Sequence, residues 1–268
     1  MQADISDFYS INEVIGKGMY GKILKAVDFN NNNIVAVKMM DKAHLKKIYI
    51  FKYMEKFENE RNAMRKCNHP NLIRYIDSFE DIENFYIVMD YVKHGTLYDL
   101  ITEKERLSII ESKTIFSQLL SGIEYCHNVS LAHCDIKLEN ILVHDKENLV
   151  IKIADFGFAT QIDEPEKLIK LYCGSIVYSA PEILKKKPCN LVKIDIWSMA
   201  VCLYILCTGY CPWRGTDAYT VIRNINSYSF RPQLVDNLSL RDLFSKIFVP
   251  HPERISIDQI KKHSWMIS

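Results

Sequence analysis

No two cysteines in this chain form a CxxC pair, and no histidine stands at zinc-ligand spacing from one. A small zinc-held module is therefore excluded. Eight cysteines are present, at 67, 126, 134, 173, 189, 202, 207 and 211. A 268-residue chain that is 48% hydrophobic can bury its own core and needs no disulfide framework. The expectation is reduced thiols, most of them replacing small apolar residues inside helices, in an intracellular protein. Net charge is equally scarce. A formal +1 leaves no general footprint for nucleic acid or an anionic membrane. One local concentration remains, Lys42, Lys46, Lys47, Lys52 and Lys56, which reads as a solvated helical face or loop, or else as a small basic face.

Repeats and low-complexity tracts are missing apart from Asn30 to Asn33, which excludes a solenoid. The opening MQADISDFYS lacks a basic-then-apolar signal pattern, so nothing there marks the protein for export. The longest apolar stretch, Ile196 to Trp213, is interrupted by Ser198, Thr208, Gly209 and Pro212 and directly follows Asp195. Its strongly apolar part, Ile196 to Cys207, has the length of a buried core helix, about 10–14 residues, rather than a membrane span.

The first ninety or so residues carry strand patterns. Ile11–Gly16 and Lys22–Ala26 alternate apolar and polar residues, and Ile34–Met40 is a third strand. The Asn run between the second and third is expected to be a turn. A helix is expected over about Lys52–Arg65, ending before His69-Pro70-Asn71, where Pro70 disfavours further helix. Strands near Leu72–Phe79 and Phe85–Asp90 follow. From Thr96 onward the pattern is helical, with Ile115, Leu119, Leu120 and Ile123 on one face of a helix over Ser112–Cys126. Short strands are expected at Ile141–Val143 and Val150–Ile153.

Residues 133–140 read His-Cys-Asp-Ile-Lys-Leu-Glu-Asn. An Asp, a Lys two residues on and an Asn five residues on suit phosphoryl transfer: Asp135 to accept or orient a hydroxyl proton, Lys137 to neutralise phosphate charge, Asn140 to hold a divalent metal. Gly16-Lys-Gly18-Met-Tyr-Gly21 lies between two strands. The same spacing serves dinucleotide folds and plain glycine-rich hairpins. Continuation of Lys22, Ile23 and Leu24 as strand argues for a flap over phosphates, where a missing Cβ lets backbone amides approach. Val35-Ala-Val-Lys38 puts a Lys in an apolar strand, where its charge needs a partner: Glu60, phosphate oxygens, or simply solvent. Asp155-Phe-Gly157 follows the strand Val150–Ile153 and offers a second oxygen ligand for a hard cation such as Mg²⁺, or a turn Asp. Ala180-Pro-Glu182 closes the next segment, with Arg254 as a partner for Glu182.

This ordered set resembles the eukaryotic protein kinase family from Phe8 to Trp265. The resemblance implies an α+β bilobal fold in one kinase domain, 1–268. Its small β-rich N-lobe, with one main helix, covers about 1–89, a hinge 90–93, and a larger helical C-lobe about 94–268. It implies ATP and Mg²⁺ as cofactors, and protein substrates with a Ser or Thr acceptor. Asp135, Lys137, Lys38 and Glu60 would be catalytic, and Asn140 and Asp155 metal ligands. ATP would meet Ile15, Gly16, Gly18 and Gly21 at the flap. Ile23, Ala36 and Leu142 would sandwich the base. Met89 would be the gatekeeper, Asp90, Tyr91 and Val92 the hinge. Met64, Tyr75, His133 and Phe156 look like the stacked spine of the active state, and Asp195 like the buried Asp that ties down the catalytic loop.

Lys137 and Cys173-Gly-Ser175 are similar to serine/threonine kinases, with Ser175 supporting Asp135 and Lys137. His69-Pro-Asn-Leu-Ile73, Asp195-Ile-Trp-Ser198 and His263-Ser-Trp265 resemble the calcium/calmodulin-dependent group, including AMP-activated and checkpoint kinases. Four departures stand out. Thr96 replaces a Glu of basophilic relatives, with Asp99 one turn on for the ribose and Glu139 still facing a substrate Arg. Ala200 replaces a Gly. Cys134 replaces the Arg that pairs with a phosphate on the activation segment, and Leu171 stands where AMP-activated relatives carry the phosphorylated Thr. Activity without that phosphorylation is the expectation, with Tyr172 a lesser site. A pseudokinase scaffold is the rival, resting on the altered HCD motif. With three residues after Trp265, any partner is expected to bind the domain itself.

Overall fold

The computed structural model describes residues 4–18, 21–164, 167–169 and 175–268, with only the backbone of Phe51. Leu171, Tyr172, Cys173 and Gly174 lie outside the described residues. The chain divides into two compact units, Met1–Lys93 and His94–Ser268.

In the first unit, β1 (Tyr9–Gly18), β2 (Gly21–Asp28), β3 (Ile34–Asp41), β4 (Tyr75–Glu80) and β5 (Asn84–Asp90) form an antiparallel sheet in the order β1-β2-β3-β5-β4. Paired residues in an antiparallel ladder share a face. The rows Ile23–Lys38–Ile87 and Lys25–Ala36–Met89 therefore lie on one side. The opposite side buries Leu24, Ala26, Val35, Val37, Tyr86 and Val88 with Ile5 and Tyr9. The main helix, α2 (Tyr53–Lys66), belongs to the Lys38 face, where Phe57 stacks on Phe85 with ring centroids 4.3 Å apart. A shorter helix, α1 (Lys42–Tyr49), precedes it, with Asp41 as N-cap and only Leu45 buried. One buried residue per two turns leaves little periodicity to read.

The Asn run is the expected turn. Asp28 accepts from the Asn30 N–H at 2.8 Å and the Asn31 amide at 2.9 Å, and Asn32 takes a φ of 57°. Two expectations change. The strand expected from Leu72 begins at Tyr75, because Leu72 and Ile73 are buried as loop residues, 1% and 0% exposed. Alternation over Ile11–Gly16 does not bury its apolar side chains: Ile11, Val14 and Ile15 stay exposed, and the register of β1 shifts twice. Ile15 is the unpaired residue of the second bulge.

The second unit opens with α3 (Leu97–Lys104) and α4 (Ile109–Asn128), each begun by a capping box, at Thr96/Asp99 and Ser108/Glu111. The pairs β6 (Leu131–Ala132) with β9 (Thr160–Gln161), and β7 (Ile141–Asp145) with β8 (Val150–Ile153), flank the 133–140 loop. Then come α5 (Pro181–Leu184), α6 (Leu191–Thr208), α7 (Ala218–Asn226), α8 (Leu238–Ile247), α9 (Ile257–Lys261) and α10 (Ser264–Ile267). Helix α6 is long and apolar enough to cross a membrane, but 83% of it is buried inside the protein, as expected of a core helix. Its Trp197 packs against Trp213 at 5.3 Å and Phe248 at 5.1 Å. The described cysteines are free thiols. Among the seven described cysteines, only Cys126, Cys202 and Cys207 lie within helices, so the expectation that most would do so is corrected. Cys67, Cys134 and Cys189 are buried outside helices, where a small polarizable thiol packs equally well.

Candidate active site

The 133–140 loop is built around one carboxylate. Asp195 on α6 is fully buried. It accepts the backbone N–H groups of His133 and Cys134, both at 2.9 Å. His127 Nε2, at the end of α4, lies 2.8 Å from the same carboxylate. These bonds hold Cys134 at a φ of +63°, a left-handed backbone that a non-glycine residue keeps only when its surroundings fix it. The next residue, Asp135, is thereby set in place. Lys137 Nζ donates to Asp135 Oδ2 at 2.7 Å, and the Asn140 amide donates to Asp135 Oδ2 at 2.9 Å and to its carbonyl at 2.8 Å. Asp135 is 5% exposed, so its carboxylate has a fixed orientation yet remains reachable.

Asn140 Nδ2 is occupied by Asp135, which leaves the amide oxygen as an acceptor. The Ala154 N–H donates to the Asn140 carbonyl at 2.8 Å, which brings Asp155 beside Asn140. Asp155 also has a left-handed backbone, φ 64° and ψ 77°, at the head of the short turn Phe156–Phe158. His133 Nε2 lies 3.1 Å from the Ala154 carbonyl, and its ring packs 5.0 Å from that of Phe156.

In the first unit, Lys38 is 7% exposed and its ammonium lies 2.5 Å from Glu60 Oε1, itself buried on α2. Ile23, Ala36 and Met89 share that sheet face with Lys38. Met64 is buried on α2 and Tyr75 half-buried on β4. Asp90 accepts from Arg74 Nε at 3.1 Å, and Lys25 lies over the Tyr91 ring at 5.5 Å. Val92 is half-buried. The three glycines are not equivalent. A Cβ on Gly21 would fall 1.8 Å from the Met39 carbonyl, whereas one on Gly18 would meet nothing within 4 Å. Gly21 is thus required by the β2–β3 ladder itself, whereas the fold requires neither Gly18 nor Gly16, whose Cβ would meet only Ile23 at an ordinary 3.6 Å.

The chain carries the family pattern described as "Protein kinase domain" over residues 9–266. It belongs to the protein kinase family. The kinase domain is similar to the NUAK family SNF1-like kinase 1 of Homo sapiens, 35% identical over 96% of this chain and 38% of that protein. It is 34% identical to CBL-interacting protein kinase 15 of Oryza sativa subsp. japonica over 96% of this chain and 59% of that one. Against serine/threonine-protein kinase SIK1 of Rattus norvegicus it is 34% identical over 97% of this chain and 33% of the relative. It therefore spans between a third and three fifths of the length of these relatives.

Glu182 of the kinase domain meets Arg254 as the motif suggested, at 2.9 and 3.4 Å. Arg254 is 1% exposed, stacks over Trp197 and also donates to the carbonyls of Ile247 and Val249. Burial pulls its guanidinium below the usual arginine range, and Glu182 opposes that shift. Leu142 bridges to Thr96, and the Val143 N–H donates to the Gly95 carbonyl at 2.9 Å.

Asp99 Oδ2 accepts from the Thr96 N–H and hydroxyl, both at 2.8 Å, which leaves Oδ1 outside the capping box. One sequence expectation needs correction. Ser175 lines a narrow cavity with Asp135. Among the described residues, however, its hydroxyl makes no hydrogen bond to Asp135 or Lys137. Its carbonyl instead accepts the Ser179 hydroxyl at 3.1 Å. Sequence reasoning missed His127, which no local motif marks, and the Ser198 hydroxyl on the Tyr178 carbonyl at 3.0 Å. The Lys42–Lys56 cluster is not one basic face: Lys42 binds Glu80 at 3.0 Å, and Lys46 covers the Tyr53 ring at 4.9 Å.

Proposed function

We propose that this kinase domain transfers the γ-phosphate of ATP to serine or threonine hydroxyls of protein substrates. The observation that carries the reading is the Lys137–Asp135–Asn140 constellation pinned by Asp195. Asp135 orients the attacking hydroxyl and takes up its proton at a carboxylate oxygen. Lys137, held on that same carboxylate, offsets phosphate charge. Lys38, fixed by Glu60, supplies a second cation to the nucleotide. The donor set fits a hard metal: the Asn140 amide oxygen and the Asp155 carboxylate are oxygen ligands, and no cluster of three or more His, Cys, Asp or Glu among the described residues forms a complete cage. Two protein oxygens plus phosphate oxygens are what Mg²⁺ ordinarily takes. When bound there, Mg²⁺ would neutralise phosphate charge.

Wild type is expected to transfer phosphate from labelled ATP to a Ser/Thr peptide array, and Asp135→Ala to lose at least about 10³-fold in kcat while still binding nucleotide. Equal nucleotide binding with no transfer by wild type would instead favour the scaffold reading.

We further infer that the domain works without phosphorylation of its activation segment. The support is Cys134. Its side chain is 5% exposed and packs with Ala132, Ile162, Ile183 and Ile194, so an apolar cluster occupies the place of a phosphate-binding cation. Phosphatase-treated enzyme should keep its activity; loss of activity on that treatment sinks the idea.

A further inference from the structure

The net charge of +1 conceals a local excess. Residues 41–56 carry five lysines against two acids, Asp41 and Glu55. Lys42 pairs with Glu80 at 3.0 Å, and Asp41 is used as the N-cap of α1, accepting the His44 N–H at 2.8 Å. Lys47 is exposed and meets no carboxylate among the described residues. Lys52 lies 4.0 Å from Glu55, with both side chains largely in solvent. Lys46 and Lys56 lie over the half-buried rings of Tyr53 and Tyr49, at 4.9 and 5.7 Å. A ring orients an ammonium without cancelling its charge.

Among these lysines, apolar side chains stay in solvent: Ile48 is 47% exposed, Met54 48% and Ile50 64%. Ile50, where α1 ends, has φ +48° and ψ −98°. A β-branched residue holds such a backbone only at a cost, and an exposed one recovers none of it through burial in the protein. Glycine would fit there without strain. Three exposed aliphatic side chains thus fall within seven residues, flanked by lysines and half-buried tyrosines. That combination suits a lipid interface. Aliphatic groups enter the acyl boundary, tyrosine rings sit at headgroup level, and lysine stems reach anionic phosphates. A nucleic acid would need free rings to stack on, and both rings here already face lysines.

We propose that the α1–α2 junction docks on an anionic lipid bilayer, with Ile48, Ile50 and Met54 entering the headgroup boundary and Lys47 and Lys52 meeting phosphates. The readout is binding and needs no ATP, so the proposal stands or falls apart from phosphate transfer. The test is cosedimentation of the whole domain with vesicles of phosphatidylcholine, alone or mixed equally with phosphatidylserine. The mixed vesicles should bind the domain, and added salt should release it by screening the lysines. Lys47→Glu should weaken binding at least about tenfold. Lys187→Glu, the same charge change on an exposed residue of the second unit, should leave it unchanged. Ile50→Gly should bind several-fold more weakly yet melt no lower than wild type, because it removes an apolar contact and relieves the backbone at once. Ile48→Ser repeats the apolar test at an unstrained position. The proposal is overturned if the mixed vesicles do not bind, if phosphatidylcholine alone binds as tightly, or if Lys187→Glu matches Lys47→Glu. It also fails if Ile50→Gly and Ile48→Ser both bind like wild type. Binding of an acidic peptide carrying one Trp or Leu, lost in Lys47→Glu, with no binding of the vesicles, would assign the surface to a protein partner and overturn the proposal too.

Discussion

Asp195 shows how one buried residue can govern a reactive one it never touches. Its carboxylate gathers three donors, from His133, Cys134 and His127. Replacing one oxygen by an NH2 group, as in Asp195→Asn, turns a donor toward at least one N–H group and leaves that N–H unpaired. Each orphaned buried donor costs about 1–3 kcal/mol. Stability should fall by that amount in urea unfolding, and kcat should drop about tenfold or more as Asp135 loses its fixed place, while nucleotide affinity changes little. An unchanged kcat would mean that Asp135 is held by Lys137 and Asn140 alone. The sequence marked Asp195 only through its resemblance to the buried Asp of the kinase family. His127 was invisible, because nothing within several residues of it hints that the end of α4 and the first turns of α6 meet. The capping role of Asp99 was hidden in a related way, since the pairing of its Oδ2 with Thr96 shows only once the helix start is fixed.

Elements with strong local signals were legible, and those defined by a partner were not. β8 agrees with its expected limits because Val150–Ile153 is short, apolar and bounded by a turn. β6 and β9 are two residues each and exist only through their mutual pairing, so no periodicity could announce them. Caps likewise fixed helix ends that the hydrophobic repeat left short. Helix α4 begins at Ile109 because the Ser108 hydroxyl accepts the Glu111 N–H at 3.2 Å and Glu111 accepts the Ser108 N–H at 2.8 Å. That backbone bond is the main reason the Glu111 pKa is lowered. Ser108→Ala should therefore cost about 1 kcal/mol in urea unfolding with catalysis retained. A loss below about 0.3 kcal/mol would show that packing of α4, not its cap, sets where the helix starts.

At the scale of the molecule, the second unit buries groups that titrate only at high pH, and this shapes its alkaline limit. Burial pushes the Cys207 thiol up from 9.0 to about 11 and the Tyr204 phenol up to about 12. Burial likewise raises Tyr178, reinforced by Cys202 and Glu139, and raises Cys202 itself. For each of these the folded state holds a proton that the unfolded state releases. The stability they contribute is thus fully present below the unfolded pKa and is lost as pH rises toward the folded one. Cys207 acts over pH 9 to 11, and Cys202 and Cys211, also raised by burial from 9.0, begin to act at the same lower edge. A two-unit shift corresponds to about 2–3 kcal/mol there, at the rate of about 1.4 kcal/mol per unit. Urea midpoints measured from pH 8 upward should hold steady, then fall beyond pH 9. Cys207→Ala should start lower by a small cavity cost and decline less steeply, by about one proton over the window. Parallel slopes for the two proteins would assign the alkaline limb to the tyrosines, Cys202 and Cys211. A further consequence concerns chemistry rather than folding: the thiolate is the reactive form, so Cys207 should resist alkylation near neutral pH and yield only as the unit opens.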